Sequence, residues 1–458
     1  MSVSIDKETI QKYDIAGPRY TSYPTAPVWS NQLTEQQYIE KLKNFGQTDK
    51  TLSLYIHIPF CQSMCSFCAC NVIIRQLDPK YGDEYLNYLF REAEKVAGYI
   101  GRKAAVKQFH LGGGTPTFLN SDQLTQLYQK MEKLFDIDPE GEIAIEIDPR
   151  TIDEDKMKTL RSLGFNRVSM GIQDFEEKVQ ESVNRIQPIE KVKAFNNWCR
   201  EMGFQSINFD LIYGLPHQTI QTFQNTVEEV IRLKPDRIAL YSFAYLPWMK
   251  KHQTKIEDDH LPSNDDKLSI FLNARQQFLE SGYQAIAMDH FALITDEMAK
   301  AYNDQRLYRN FMGYTVKPAD EYIGLGVSSI GFVENTFVQN HKVLPEYYRQ
   351  LDAGHLPVER GKILNEDDRI RQWTISSLMC HFEIDKARFT SQFHLAFDEY
   401  FKDEQEHIKH CIEDGLLTNQ PNRLVVTELG RIFIRNICMG FDFYLRQKGA
   451  HTRFSKTV

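Results

Sequence analysis

Between Leu52 and about His290 one theme recurs seven times: a short β-rich run ending in Gly, Pro or Asp, followed by a longer amphipathic or polar segment. The runs are LSLYIHIPF (52–60), VKQFHLGGG (106–114), EIAIEIDP (142–149), NRVSMGIQDF (166–175), SINFDLIYGLP (206–216), RIALYSFAYLP (237–247) and YQAIAMDHF (283–291). Strands alternating with helices imply parallel pairing, because parallel neighbours need a crossover long enough to hold a helix. Intervening segments such as YGDEYLNYLFREAEKVAGYI and SDQLTQLYQKMEKLF carry apolar residues at three- and four-residue intervals, with Ser121 and Asp122 as expected caps of the second. A parallel sheet covered by helices predicts an α/β fold, a full or partial (β/α) barrel, with reacting groups at the C-terminal ends of its strands.

After about Lys362 the pattern changes to longer helical stretches, DDRIRQWTISSLMCHF and FDEYFKDEQEHIKHCIEDGLL, then a short β-like run, RLVVTELG, and a final helix. The expected division is therefore an N-terminal extension (1–50) contacting the active site, a barrel with a substrate-covering segment (51–361) and a mainly helical C-terminal domain (362–458). The GPRYTSYPT stretch of the extension is irregular, and there is neither an internal repeat beyond the βα alternation nor a low-complexity stretch. At 458 residues, 42% hydrophobic and 25% charged, the chain has enough material for this plan. A net charge of -8 gives no general attraction to phosphate backbones, so no nucleic-acid partner is expected. Residues 1–13 lack the apolar core of a signal peptide and nothing reaches the ~18 apolar residues of a membrane span, which predicts a soluble cytoplasmic protein.

Eight cysteines are distributed very unevenly, with Cys61, Cys65, Cys68 and Cys70 inside ten residues. Such clustering marks a metal centre, whereas Cys199, Cys380, Cys411 and Cys438 are isolated and read as small buried hydrophobes. The spacing Cys61-x3-Cys65-x2-Cys68 directly follows the strand LYIHIPF, which puts the thiols in a loop at a strand's C-terminal end. Three thiolates can hold three irons of a four-iron cluster and leave the fourth open to the amine and carboxylate of an amino acid, here S-adenosylmethionine beside an electron source. Electron transfer into its sulfonium releases a 5′-deoxyadenosyl radical. A zinc site completed by Cys70 is the alternative, although zinc motifs more often separate two Cys pairs by a dozen or more residues.

The x3-x2 triad after a barrel strand resembles the radical S-adenosylmethionine enzymes. The resemblance extends over nearly the whole chain, through GPRYTSYPTA (17–26), YIHIPFCQSMCSFCACN (55–71), HLGGGTPT (110–117), IEIDPR (145–150), SMGIQDF (169–175), VNRIQ (183–187), FDLIYGLP (209–216), MDHFA (288–292) and RNFMGYT (309–315), to the oxygen-independent coproporphyrinogen III oxidases. Cys70 is its most specific mark, since the related haem-chaperone group usually lacks that fourth cysteine.

The resemblance implies a 4Fe-4S cluster on Cys61, Cys65 and Cys68 and two S-adenosylmethionine molecules, one on the cluster and one beside it. It makes Gly112, Gly113, Gly114 and Thr115 a cofactor-binding loop, and directs Glu146, Gln173, Arg185 and Asp210 to ribose hydroxyls, an amine and a carboxylate. Taken alone, the glycines are equally a turn before a helix, and the four polar residues are caps, barrel-interior contacts or solvated charges. Tyr55, Phe67, Ala244 and Ile330 resemble the family's apolar and backbone contacts to S-adenosylmethionine, where spacing alone assigns them to the core. His57 and His290 read as hydrogen-bonded packing rather than ligands. Arg19 and Arg309 are candidates for substrate carboxylates, and Cys70 is expected to face the reaction pocket without ligating the cluster.

The implied reaction decarboxylates two propionates of coproporphyrinogen III to vinyls without oxygen, giving protoporphyrinogen IX in porphyrin and haem biosynthesis. Expected partners are the tetrapyrrole and a small electron-donor protein such as a flavodoxin or ferredoxin, with the enzyme itself a monomer. Departures from the family pattern stand at Met312 (often Gln), Tyr308 (often His), Ala287 (often Gly) and Leu293 (often basic), all flanking the expected substrate region. They favour, as an alternative, a related radical enzyme acting on haem or another tetrapyrrole; a haem-trafficking protein on the same fold is a second alternative, against which Cys70 and the GPRYTSYPT segment count.

Overall fold

The computed structural model describes residues 7–446 and 454–457. The first six residues of the expected N-terminal extension, and 447–453 and 458 of the expected C-terminal domain, lie outside the described residues. Six of the seven expected runs form consecutive parallel strands: β1 (Leu52–Ile58), β2 (Ala105–Gly113), β3 (Asp136–Ile147), β4 (Arg167–Gln173), β5 (Ser206–Tyr213) and β6 (Arg237–Ser242). Their apolar side chains, among them Leu54, Ile56, Phe109, Ile145, Phe209 and Leu240, form the main core with the covering helices. Near-continuous burial along β1 is what a parallel strand covered on both faces requires.

The seventh run departs from expectation. YQAIAMDHF divides into β7 (Tyr283–Ile286) and β8 (His290–Leu293), an antiparallel hairpin whose second strand pairs antiparallel with β6. Only three residues separate the two strands, too few for a crossover, so the chain reverses on itself. On the other side of β1 the strand Glu321–Leu325 pairs in parallel and is extended by three antiparallel strands, Ile330–Val333, Thr336–Asn340 and Val358–Ile363. The result is one open twelve-stranded sheet, its Val358–Ile363 edge met by Ser30 in an isolated bridge to Gly361, a partial rather than a closed barrel.

A short hairpin, Tyr308–Asn310 with Gly313–Thr315, reaches into the barrel: Asn310 Nδ2 donates to Gln108 Oε1 at 3.0 Å and Thr315 Oγ1 to Glu142 Oε2 at 3.1 Å. A second core gathers Tyr13, Tyr20 and Tyr23 from the N-terminal stretch, Ile286 and Tyr314, and Ile375, Phe401 and Ile437 from the C-terminal part. Its polar fastening is Arg435, which donates from Nε to Pro18 O at 2.9 Å and from Nη2 to Gly17 O.

Two further expectations change. The cap of the helix Ser121–Leu134 is Asn120, not Ser121 or Asp122, and it forms a reciprocal capping box with Gln123. The stretch FDEYFKDEQEHIKHCIEDGLL is two helices, Phe397–Tyr400 and Gln405–Glu413, divided by a 3-10 turn at Lys402–Glu404. That turn carries Glu404 inward, where it accepts from Arg371 Nη1 at 2.9 Å and from Arg446 Nη2, and pairing a buried charge outweighs helix continuity. The run RLVVTELG supplies the middle strand of a small antiparallel sheet: Arg423–Val426 lies between Glu383–Asp385 and Leu417–Gln420.

Candidate active site

Parallel β1 delivers the cysteine loop to the C-terminal end of the sheet, beside the glycine loop of β2, with His57 opposite Gly112 and Ile58 opposite Gly113. Cys61, Cys65, Cys68 and Cys70 all line one cavity of about 280 Å³, whose walls also include Gly113, Gly114, Thr115, Glu146, Gln173, Arg185 and Asp210. Five successive strands thus contribute to it.

The thiols differ in environment. Cys65 is the most buried of the three expected ligands, at 7% exposure. Burial pushes the Cys61 thiol up to about 11, opposed by its contact with Thr115 Oγ1 at 3.3 Å. A hydrogen bond with Cys70 brings the Cys68 thiol down to about 7. Cys70 itself is exposed at the rim. Among the described residues, no three His, Cys, Asp or Glu side chains gather around one point as a single metal ion requires. A four-iron cluster spreads its thiolates over different irons around a cavity. Three thiols spread around one cavity with polar walls are a donor set that suits a cluster of that kind.

All three glycines are required by neighbouring protein atoms. A Cβ on Gly112 would meet the Tyr55 ring at 2.9 Å, one on Gly113 the His57 ring at 2.7 Å, and one on Gly114 the Pro59 backbone at 2.7 Å. Gly113 also has φ +118°, which L side chains rarely adopt. His57 is held between Tyr55 OH at 3.0 Å and Asn71 O at 3.1 Å, and His290 faces Asp289 Oδ1 at 2.7 Å, so both are hydrogen-bonded packing.

Glu146 accepts from Gly113 N at 3.0 Å and faces His110 Nε2 at 3.3 Å. Burial would raise its carboxyl, but these contacts bring it below the ordinary value. Asp210 accepts from Ser169 Oγ at 2.9 Å and Asn208 Nδ2 at 2.8 Å, and burial, reinforced by the nearby Glu146 charge, pushes it up to about 6. Gln173 ends β4 at φ +69° with Oε1 buried and without a partner among the described residues, a strained backbone and an unused acceptor at the cavity wall. Arg185 donates from Nη2 to Gly171 O at 2.6 Å and from Nη1 to Asp148 Oδ2 at 3.1 Å.

Other expected residues are more dispersed. Tyr55 backs the glycine loop and stacks on His110. Phe67 lines the cavity and packs on the cluster of Val179, Leu215 and Phe243. Ala244 lies beyond β6, its carbonyl accepting from Gln253 Nε2 at 3.1 Å, and Ile330 packs with Trp29, Tyr322 and Phe337; neither lines the cysteine cavity. Arg19 donates to Ser242 O at 2.6 Å beside a small cavity of about 40 Å³, and Arg309 lines a different one of about 330 Å³ with Tyr20, Tyr308 and Arg369. Met312 lines an inner barrel cavity of about 140 Å³ that shares Glu146, Ser169, Asp210 and Tyr241 with the cysteine cavity. Of the other departures, Ala287 forms the β7–β8 turn at φ +52°, Leu293 ends β8 and Tyr308 lines the Arg309 cavity.

Sequence reasoning passed over Asp148 and Arg150. Arg150 donates from Nε and Nη2 to Asp148 at 3.0 and 2.6 Å, and both Arg150 and Arg185 approach Cys65 Sγ at 3.7 Å. The signal was available in IDPR, an acid and a base placed just past the end of β3.

Comparison with known proteins agrees with this geometry. Residues 55–230 match the model of the radical SAM superfamily, and residues 364–433 match that of the HemN C-terminal domain. The chain is 43% identical over 454 residues to the oxygen-independent coproporphyrinogen III oxidase of Escherichia coli strain K12, covering 99% of this chain and 98% of that one. It is 41% identical to the enzyme of the same name from Synechocystis sp., over 100% of this chain and 99% of the other. The solved structure of coproporphyrinogen III oxidase (HemN) from Escherichia coli, described as a radical SAM enzyme, superposes with a TM-score of 0.92 at 40% identity, covering 97% of this chain and 100% of that one. With a relative this similar along essentially its full length, the chain belongs to the oxygen-independent coproporphyrinogen III oxidases of the radical SAM superfamily.

Proposed function

We propose that this chain oxidatively decarboxylates two propionate side chains of coproporphyrinogen III to vinyls, giving protoporphyrinogen IX without oxygen, as an oxidoreductase of porphyrin and haem biosynthesis. The observation that carries the reading is the convergence of the cysteine triad, the glycine loop and the polar ends of β3 to β5 on one cavity. Bound there, a 4Fe-4S cluster and two S-adenosylmethionine molecules supply the radical that abstracts hydrogen from a propionate β-carbon, after which carbon dioxide and an electron leave.

Cys61, Cys65 and Cys68 hold three irons in this reading. Gly113 and Gly114 offer backbone to the cofactor, and Gln173 turns its spare Oε1 toward it. Glu146 and Asp210 accept from cofactor hydroxyls or amine, held in place by Gly113 N on one side and by Ser169 and Asn208 on the other. Arg185 lends its guanidinium to the cavity wall, Phe67 lines it and Tyr55 backs the glycine loop, Ala244 and Ile330 support the cofactor from outside that lining, and Cys70 stands at the rim without ligating. Arg19 and Arg309 receive substrate carboxylates. The division into extension (1–50), barrel (51–361) and C-terminal domain (362–458) belongs to the same proposal. So do a monomeric enzyme, a cytoplasmic location and a flavodoxin or ferredoxin as electron donor.

Anaerobic incubation of the reconstituted protein with coproporphyrinogen III, S-adenosylmethionine and reductant tests the reading. Protoporphyrinogen IX is the expected product. Consumption of S-adenosylmethionine without loss of carbon dioxide from the tetrapyrrole would overturn it.

A further inference from the structure

Asp148 lies just past the end of β3 and gathers two guanidinium groups beside one thiol. Its Oδ1 accepts from Arg150 N and Nε, each at 3.0 Å, and its Oδ2 from Arg150 Nη2 at 2.6 Å and Arg185 Nη1 at 3.1 Å. From the same two arginines, Arg150 Nη2 and Arg185 Nη1 each stand 3.7 Å from Cys65 Sγ. The carboxylate neutralises one of the two cations, so a net positive charge remains beside the sulfur. The group is mostly withdrawn from water, at 8% exposure for the Asp148 side chain, 9% for that of Arg185 and 21% for that of Arg150, so solvent screens the charge only in part.

The Arg185 guanidinium is additionally tied to Gly171 O at 2.6 Å. Arg150 has no such tie to a barrel strand: among the described residues, beyond Asp148 and the sulfur, its side chain reaches Ser63 Oγ of the cysteine loop at 3.4 Å. The turn that brings it there is local, because its own main-chain N–H and its side chain bond the same carboxylate two residues earlier. Hydrogen bonds to ligand sulfurs and nearby charge are the means by which a protein sets the reduction potential of an iron-sulfur cluster.

Resting on the cluster assignment above, we infer that Arg150, held by Asp148, is a positioning residue that makes the potential of the cluster on Cys65 less negative. A positive charge and N–H donors at a ligand sulfur favour the more negatively charged, reduced cluster over the oxidised one, which lets a weaker electron donor reduce it. Arg185 shares the contact, but its place in the cofactor wall makes it the poorer probe.

The test reconstitutes wild type, Arg150→Gln and Arg150→Lys anaerobically, measures iron and sulfide content, and follows cluster reduction by electron paramagnetic resonance across a potentiometric titration. Arg150→Gln should keep its iron while its midpoint becomes more negative, so that the reduced-to-oxidised ratio at a fixed potential falls several-fold. Arg150→Lys, which keeps the charge and loses the planar donor pair, should shift the same way by less. Identical midpoints in all three fully loaded proteins would overturn the inference. So would a wild type that assembles its cluster while both variants fail to, since Arg150 would then serve assembly. A wild type that binds no iron-sulfur cluster would instead bring down the underlying functional reading, and the inference with it.

Discussion

Arg309 donates from Nη1 to the main-chain carbonyl of Arg19 at 3.2 Å, so the two arginines proposed for substrate carboxylates form one mechanical unit although they line different cavities. Arg309 keeps a buried Nε without a partner among the described residues, and its guanidinium lies 4.9 Å from the centre of the Tyr314 ring. Replacing it therefore removes one carboxylate partner and loosens the loop carrying the other. Arg309→Ala is expected to raise the KM for coproporphyrinogen III about tenfold or more, the scale of a lost charge-assisted hydrogen bond, with iron content unchanged. Steady-state kinetics under anaerobic conditions decide it, and an unaltered KM would remove both arginines from the substrate site.

Asp210 supplies a pH dependence. Its folded-state pKa rises from 3.8 to about 6, mainly through burial. Between those values the folded protein binds more protons than the unfolded chain, so this group makes stability fall as pH rises from about 4 to 6. The full cost is present above 6. In the protein without cofactors, Asp210→Asn should raise the melting temperature clearly at pH 7.5 and by much less at pH 4.5. Melting scans at the two pH values would contradict this if the gain were equal or larger in acid.

Ala287 turns the β7–β8 hairpin at φ +52°, where a Cβ is strained and where the family pattern often has glycine. Ala287→Gly should stabilise the chain by about 1 kcal/mol despite the added freedom of the unfolded state. Denaturant titration with an unchanged m-value checks this.

Gly113 is the reverse case. A methyl group there would meet the His57 ring at 2.7 Å on a backbone at φ +118°. Gly113→Ala should cost about 2 kcal/mol or more and disturb the cluster loop, because His57 also hydrogen-bonds Asn71 beyond the cysteines. Near-native stability and iron content in this variant would mean that the loop yields more easily than its contacts suggest.

Cys70 separates ligation from turnover. Cys70 is exposed and hydrogen-bonded to Cys68, and on the proposed reading it acts on the pocket without binding iron. Cys70→Ser should keep about four irons per chain and lose most decarboxylation, whereas Cys65→Ser should lose the cluster. Equal iron loss in the two would break the three-ligand assignment.

Much of this site was readable because its parts are local. The Cys61-x3-Cys65-x2-Cys68 spacing and the strand before it lie within one short stretch, and strand ends punctuated by Gly, Pro and Asp mark where parallel strands deliver side chains. What escaped depended on distant partners. The β7–β8 hairpin looked like one strand because its turn contains no glycine, only a strained Ala287. Glu404 breaks a helix for the sake of Arg371, 33 residues away in sequence. Asp148 and Arg150 look like an ordinary post-strand turn until the fold brings Arg185 across, 37 residues later. Burial and pairing of that kind are set by tertiary structure rather than by pattern.

The contact between Arg435 and the Gly17–Pro18 carbonyls also fixes an order of events. At about 5–20 residues per second, a ribosome making this chain exposes Gly17 roughly 20–80 s before the guanidinium that holds it, 418 residues downstream. Through that interval the strap bearing Arg19 lacks this fastening. A nascent chain can thus make β1 to β6 and its cysteine loop early, yet the N-terminal segment bearing Arg19 gains this fastening only after Arg435 has been made. The cysteine loop and the fastening of the Arg19 segment therefore depend on parts of the chain made at widely separated times.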